Sequence, residues 1–245
     1  MNPGNILSVN DCPKVPQEVE NMKRIPYKEA ISSLMYTAIR SRADIAYTIS
    51  FLAHFMQNPR NVHWEAVKRV IRYLKGTKEA NLTIGAGGTF DWALKDQQWR
   101  SGLEGFSDAD GNSQEHQHAI LGYVFTIDRG AVSWNSRKQS LVTLLTTESE
   151  YVAITRASKE ALWIRSFLGD VFSPLRTPIL LYCNNTSAID VARNDKYHTQ
   201  TKHINIRYHF IHEAISQGLI DLCYCPTQDM VADTFTKVLP KPTFK

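Results

Sequence analysis

Cysteine is scarce in this chain of 245 residues: only Cys12, Cys183, Cys223 and Cys225, with no Cys-x-x-Cys pair. Such usage argues against a disulfide scaffold and for an intracellular, reduced protein. Cys223 and Cys225 without a second pair do not have the spacing of a structural zinc site. His198, His203, His209 and His212 are therefore read as packing or surface residues. Long apolar runs are missing as well. No stretch approaches about 18 consecutive apolar residues, so no membrane span is expected. The first residues, MNPGNILSVNDCPK, lack a basic start and an apolar run, which predicts no secretory signal. Repeats and low-complexity tracts are absent. Charge of one sign is also weak, at +4 net. It is unevenly placed, however: 12 Lys+Arg against 7 Asp+Glu in residues 1–90, then 16 against 17 in residues 91–245. A basic first part permits nucleic-acid contact without establishing it, and an ordinary solvated surface is the reading that charge alone favours.

What is present divides in two. Residues 1–25 show no sustained period and read as an irregular lead-in. From Pro26 the pattern is helical: Ile31, Leu34, Met35, Ala38 and Ile39, then Ile45, Ile49, Leu52, Ala53 and Met56, broken at Asn58-Pro59. A third helix, His63 to Leu74, places Trp64, Val67, Ile71 and Leu74 inside and Lys68, Arg69, Arg72 and Lys75 outside. Gly76 stands where a left-handed cap is expected. Residues 26–90 thus form a small helical module with a basic stripe, too small to bury much without a neighbour. GAGG at 85–88 marks a boundary. Residues 97–245 then change period. Strands are expected from Leu103 to Asp108, Ile120 to Ile127 and Ala131 to Trp134, with a hairpin at Asp128-Arg129-Gly130. A long helix over 147–169 buries Ile154, Ala157, Ala161, Ile164 and Leu168. A strand at 179–183, helices near 185–193 and 202–216, a strand at 219–224 and a last helix after Pro226 follow. The order predicts a mixed α/β sheet whose fourth strand lies parallel to its first.

Ligand sites in such sheets favour the C-terminal ends of parallel strands, here Asp108 and Asn184. Asp108 in Ser-Asp-Ala-Asp-Gly is also an ordinary turn residue. Glu150 fits a capping box begun by Thr147, yet it lies on the helix face that packs on the sheet, where a carboxylate is costly unless paired. Asp233, among apolar neighbours in Val231-Ala232-Asp233-Thr234-Phe235, carries no signal by itself.

The segments Ser33-Leu34-Met35-Tyr36, Asp44-Ile45-Ala46-Tyr47 and HWEAVKRVIRYLKGT (63–77) resemble the part that follows the polymerase palm in copia-type reverse transcriptases. FSDAD (106–110), GYVF (122–125), SWNSRKQ (133–139), TTESEYVA (146–153), KEALW (159–163), YCNNTSAI (182–189), TKHINIRYHFI (201–211) and VADTFTK (231–237) resemble the RNase H domain of those retrotransposons. The likeness runs from about residue 8 to residue 245. It implies an RNase H-like five-stranded mixed sheet with helices on both faces, preceded by a helical reverse-transcriptase remnant. It also implies cleavage of the RNA strand of an RNA/DNA hybrid by two divalent metals, Mg²⁺ or Mn²⁺, with the rest of the reverse transcriptase as partner. Cytoplasmic particles are the expected location, with nuclear entry open.

Residue by residue, the resemblance carries the metal-binding carboxylates onto Asp108, Glu150 and Asp233, and a fourth onto Asn184, where the family has Asp. Asn keeps an oxygen but loses the charge. Unit charges about 4 Å apart at an effective dielectric of about 20 interact by about 4 kcal/mol, worth roughly a thousandfold in rate. Cleavage is therefore expected to be weak or absent, and a catalytically silent nucleic-acid-binding remnant is the alternative. Ser32 in place of a family glycine, and Ser41-Arg42-Ala43-Asp44 in place of Thr-Arg-Pro-Asp, fit a decaying or repurposed copy; an unselected transposon remnant is a third reading. No Asp-Asp pair occurs anywhere, so polymerase activity is not expected, and Met1 reads as an internal or artificial start. Trp134, Arg137, Lys138 and Gln139, with Lys68, Arg69, Arg72 and Lys75, are candidate nucleic-acid contacts; for Trp134, packing beneath a loop is the competing role.

Overall fold

A computed structural model describes residue 7 and residues 11–84, 103–110, 119–139, 146–194 and 202–238. Three antiparallel strands open the second part: β1 (Glu104–Asp110), β2 (Ile120–Ile127) and β3 (Gly130–Lys138). Asp128 and Arg129, at φ 45° and 65°, form the two-residue hairpin turn, whose left-handed backbone matches the twist of the flanking strands. Helix α5 (Thr146–Val171) carries the chain back to β4 (Ile179–Cys183), which pairs parallel to β1. Helices α6 (Thr186–Arg193) and α7 (Lys202–Ser216) lead to β5 (Ile220–Tyr224), parallel to β4. The sheet order is β3-β2-β1-β4-β5. This is the RNase H-like mixed sheet that the resemblance implies.

Alternation along β2 sorts the two faces. Phe125 and Tyr123 pack with Ile154, Ala157 and Ala161 of α5, whose small side chains let the helix lie close on the strands. Val124 turns the other way. It shares an apolar cluster with Tyr27, Ile31, Leu34, Ile49, Leu52 and Val67 of the first part. That part comprises α1 (Pro16–Lys23), α2 (Tyr27–Arg40), a 3-10 turn (Ala43–Ile45), α3 (Ala46–Ala53) and α4 (Asn61–Gly76). The neighbour that the small helical module needs is therefore the sheet itself. Trp134 on β3 ties the two, its indole N–H donating to Ala38 O at 2.8 Å. Helices thus cover both faces. Among the described residues no helix is long and apolar enough to cross a membrane.

Several local expectations are corrected. The lead-in holds α1, hidden from the periodicity because Met22 is its one buried residue. Helix α4 runs through Gly76 and ends on Thr77 at φ −119°, so no left-handed cap forms there; among the described residues the left-handed glycine is Gly218 (φ 65°), after α7. Ile71 is exposed, and His63 and Val70 are buried beside Val67 instead. The last helix is two 3-10 turns, Thr227–Asp229 and Val231–Phe235. The GAGG boundary at 85–88 and the beginning of the 97–245 stretch lie outside the described residues. If Trp134 latches the two parts, Trp134→Phe, which keeps an aromatic ring but loses the donor and part of the indole's packing, should cost at least about 1 kcal/mol in urea unfolding. An unchanged midpoint would show that apolar packing alone joins them.

Candidate active site

Because β1 and β4 are parallel with Ser107 beside Cys183, the next residues, Asp108 and Asn184, emerge at the same end of the pair. Asn184 Nδ2 donates to Asp108 Oδ1 at 3.2 Å. Only the nitrogen end of the amide can face a carboxylate oxygen favourably. The following residue, Asn185, plays a separate part. Its side chain accepts from Ala188 N at 3.0 Å and caps α6.

Glu150 arrives from α5. The helix begins at Thr146, so Thr147 lies within it and the expected capping box does not form. Instead the Glu150 carboxylate accepts the backbone N–H of Ala109 on β1. Its Oε2 is buried without a hydrogen-bond partner. Burial, then the neighbouring Asp108, push Glu150 up to about 9 despite that hydrogen bond, with Asp233 adding to the rise.

Asp233 reaches the site through a close packing contact. Gly122 stands opposite Asp108 on β2. A Cβ there would sit 2.7 Å from Phe235 Cβ and 3.2 Å from Ala232 O, so glycine lets the 3-10 turn Val231–Phe235 lie against the strand. The turn delivers Asp233, and the next residues bring two donors that sequence reasoning missed. Thr236 Oγ donates to Asp108 Oδ2, and Lys237 Nζ pairs with Asp233 Oδ2 at 2.7 Å. Their signal lay in VADTFTK, three and four residues after Asp233, which is one helical turn. Asp233 Oδ1 is buried and without a hydrogen-bond partner. Asp108 is raised, chiefly by burial and against the Thr236 hydrogen bond, with Asp233 pushing it further. Burial lowers Lys237, but its bond to Asp233 outweighs this and holds it charged.

The four positions named from the sequence thus meet at one strand end. Whether they suit a divalent metal is a question of chemistry and of spacing. The chemistry fits: hard oxygens, two of them orphaned and buried. The spacing does not. Asn184 and Thr236 take both oxygens of Asp108, Lys237 takes one of Asp233, and among the described residues no group of three or more acidic, His or Cys side chains is arranged to hold an ion.

The candidate nucleic-acid contacts are dispersed. Gln139 is buried and donates to Ser149 O at 3.2 Å, joining β3 to α5. Trp134 faces the helical part, and Arg137 stands exposed on the edge strand. On α4, Lys68 pairs with Glu65 at 2.5 Å, while Arg69, Arg72 and Lys75 are exposed. That stripe belongs to a helix packed on α2 and α3.

Glu150 also sets a pH dependence. Its folded value near 9 lies above the ordinary 4.5, so its stabilising contribution is full below about pH 4.5 and is lost as pH rises toward 9. Asp108, also raised, acts in the same direction. Urea midpoints should fall between about pH 5.5 and pH 8.5, and Glu150→Gln should flatten the fall. A variant as pH-sensitive as the parent would place the titrating group elsewhere.

No family model matches the chain. The retrovirus-related Pol polyprotein from transposon TNT 1-94 of Nicotiana tabacum is 37% identical over 240 residues, covering 98% of this chain and 17% of that protein. The corresponding polyprotein from transposon RE2 of Arabidopsis thaliana is 32% identical over 241 residues, covering 98% and 15%. The chain therefore spans less than a fifth of the length of these relatives. Among solved structures, LC11-RNase H1 in complex with RNA/DNA hybrid is 13% identical at a TM-score of 0.42, covering 55% of this chain and 93% of that one. So loose a likeness adds nothing to the strand order. The near-complete coverage of this chain by the polyproteins is the stronger finding: over 98% of its length the chain is similar to copia-type retrotransposon Pol polyproteins.

Proposed function

We propose that this domain binds RNA/DNA hybrids and hydrolyses their RNA strand weakly or not at all, because Asn184 has replaced an anionic metal ligand by a hydrogen-bond donor. The carrying observation is the bond from Asn184 Nδ2 to Asp108 Oδ1. An aspartate in that place would bring a second carboxylate to the oxygen that the amide now satisfies, and the pair would call for a cation. As it stands, Asn184, Thr236 and Lys237 satisfy Asp108 and half of Asp233 from within the chain. Glu150 is left to hold a proton, its value raised to about 9. Such a site keeps at most one uncompensated negative charge, on Asp108, and nothing in it generates a hydroxide at neutral pH.

Binding is less affected. Arg69, Arg72 and Lys75 on α4, and Arg137 and Lys138 on β3, carry no ion pair among the described residues, which leaves them available for phosphates. The rest of the reverse transcriptase is the proposed partner, and cytoplasmic particles the proposed setting.

A labelled RNA/DNA hybrid with Mg²⁺ or Mn²⁺ tests this. Asn184→Asp should cut about a thousandfold faster than the parent. Equal cutting by both would mean that another group supplies the missing charge. If neither cuts while both bind hybrid, the lesion extends beyond Asn184 and binding alone remains.

A further inference from the structure

Two side-chain contacts fix how the edge of the sheet meets the helices. Ser133 Oγ on β3 donates to Glu160 Oε1 on α5 at 2.6 Å. Lys159 on α5 stands over the ring of Phe210 on α7 at 5.6 Å. Four residues along β3 from Ser133, on the same strand face, is Arg137; four residues back along α5 from Glu160, on the same helix face, is Arg156. Three residues back from Lys159 and from Phe210 stand Arg156 and Arg207. These spacings bring guanidinium groups of three elements toward the same edge of the sheet, near enough for Arg137 and Arg207 to act electrostatically on Arg156.

None of the three has an ion pair among the described residues. Glu160, at i+4 from Arg156, is engaged elsewhere, by Ser133 and by the Tyr123 hydroxyl. Arg156 and Arg207 are half-buried and Arg137 is exposed, so the cluster opens to solvent on one side. Burial, then Arg137 and Arg207, depress the Arg156 guanidinium below its ordinary value, which is the mark of like charges packed without a counter-ion. Unbalanced charge of this kind is costly, and an anion relieves it.

We propose that Arg137, Arg156 and Arg207 form a phosphoryl-binding site, filled by a backbone phosphate of a nucleic-acid strand that crosses the sheet edge toward the carboxylates. Planar guanidinium forks suit phosphate oxygens, which they can bind in pairs. The placement suits a strand as well. Arg137 is in register with Leu121, and Leu121 with Ala109, whose N–H holds Glu150. Two strand spacings make that roughly 10 Å, and six residues of α5 from Glu150 to Arg156 make about 9 Å. A strand with one phosphate on the arginines thus has a nearby one at the carboxylates. The strand as source rests on the hybrid-binding function proposed above; the anion site does not.

The test uses the full chain and its Arg156→Gln/Arg207→Gln double variant, with Arg156→Lys/Arg207→Lys as the control that keeps charge and fold. Inorganic phosphate at millimolar concentration should raise the melting temperature of the parent, less that of the Lys variant, and not that of the Gln variant. Hybrid affinity, read by anisotropy across a salt series, should fall about tenfold in the Gln variant, with the salt slope reduced by about two contacts. If the phosphate shift vanishes in the Gln variant but hybrid binding is unchanged, the site takes free phosphoryl groups rather than a strand, and the strand assignment is overturned. If phosphate stabilises parent and Gln variant alike, there is no site. A parent that binds no hybrid sinks the proposed function and leaves the phosphate arm to decide the site.

Discussion

Three carboxylates at one strand end are almost removed from water: Asp108 is 3%, Glu150 6% and Asp233 7% exposed. A buried carboxylate must find donors, find a cation or give up its charge, and here each does something different. Asp108 takes donors from Asn184 and Thr236, Asp233 takes Lys237, and Glu150 is left to protonate. The rest of the arrangement serves to bring these groups together. The parallel β1–β4 pair aligns Asp108 with Asn184. Small residues on α5 let Glu150 descend onto β1, and Gly122 admits the turn that carries Asp233.

The helical part is built into that machinery and not merely attached to it. Phe235, two residues after Asp233, is buried in the same apolar cluster as Tyr27, Ile31 and Leu52. The turn is gripped on one side by β2 and on the other by the helical part. Displacing the helices would loosen the turn, and with it the Thr236 and Lys237 contacts on which the acidic site depends. Sheet, turn and helical segment form one mechanical unit around the carboxylates.

Much of this was legible in the sequence because the strongest signals are periodic. The apolar stripe of α5, the alternation in β2 and the Asp128-Arg129-Gly130 turn each define an element without reference to anything distant. The resemblance then assigned roles to Asp108, Glu150, Asn184 and Asp233. What escaped depends on contacts between distant segments. Met22 alone is buried in α1, so no period could reveal that helix. The 3-10 turns are too short to show one. The capping box at Thr147 is a local pattern overridden by Ala109 across the sheet. Thr236 and Lys237 are ordinary polar residues until the Gly122 contact folds them onto Asp108 and Asp233.

On the function proposed above, Asn184 substitutes a hydrogen bond for a metal. Calorimetric and thermal titration of the parent and Asn184→Asp with Mg²⁺ addresses it without relying on activity. The parent should be indifferent to Mg²⁺, and the variant should be destabilised by chelator and restored by the metal as the new carboxylate gains its counter-charge. Equal Mg²⁺ binding and equal stabilisation in both proteins would contradict it.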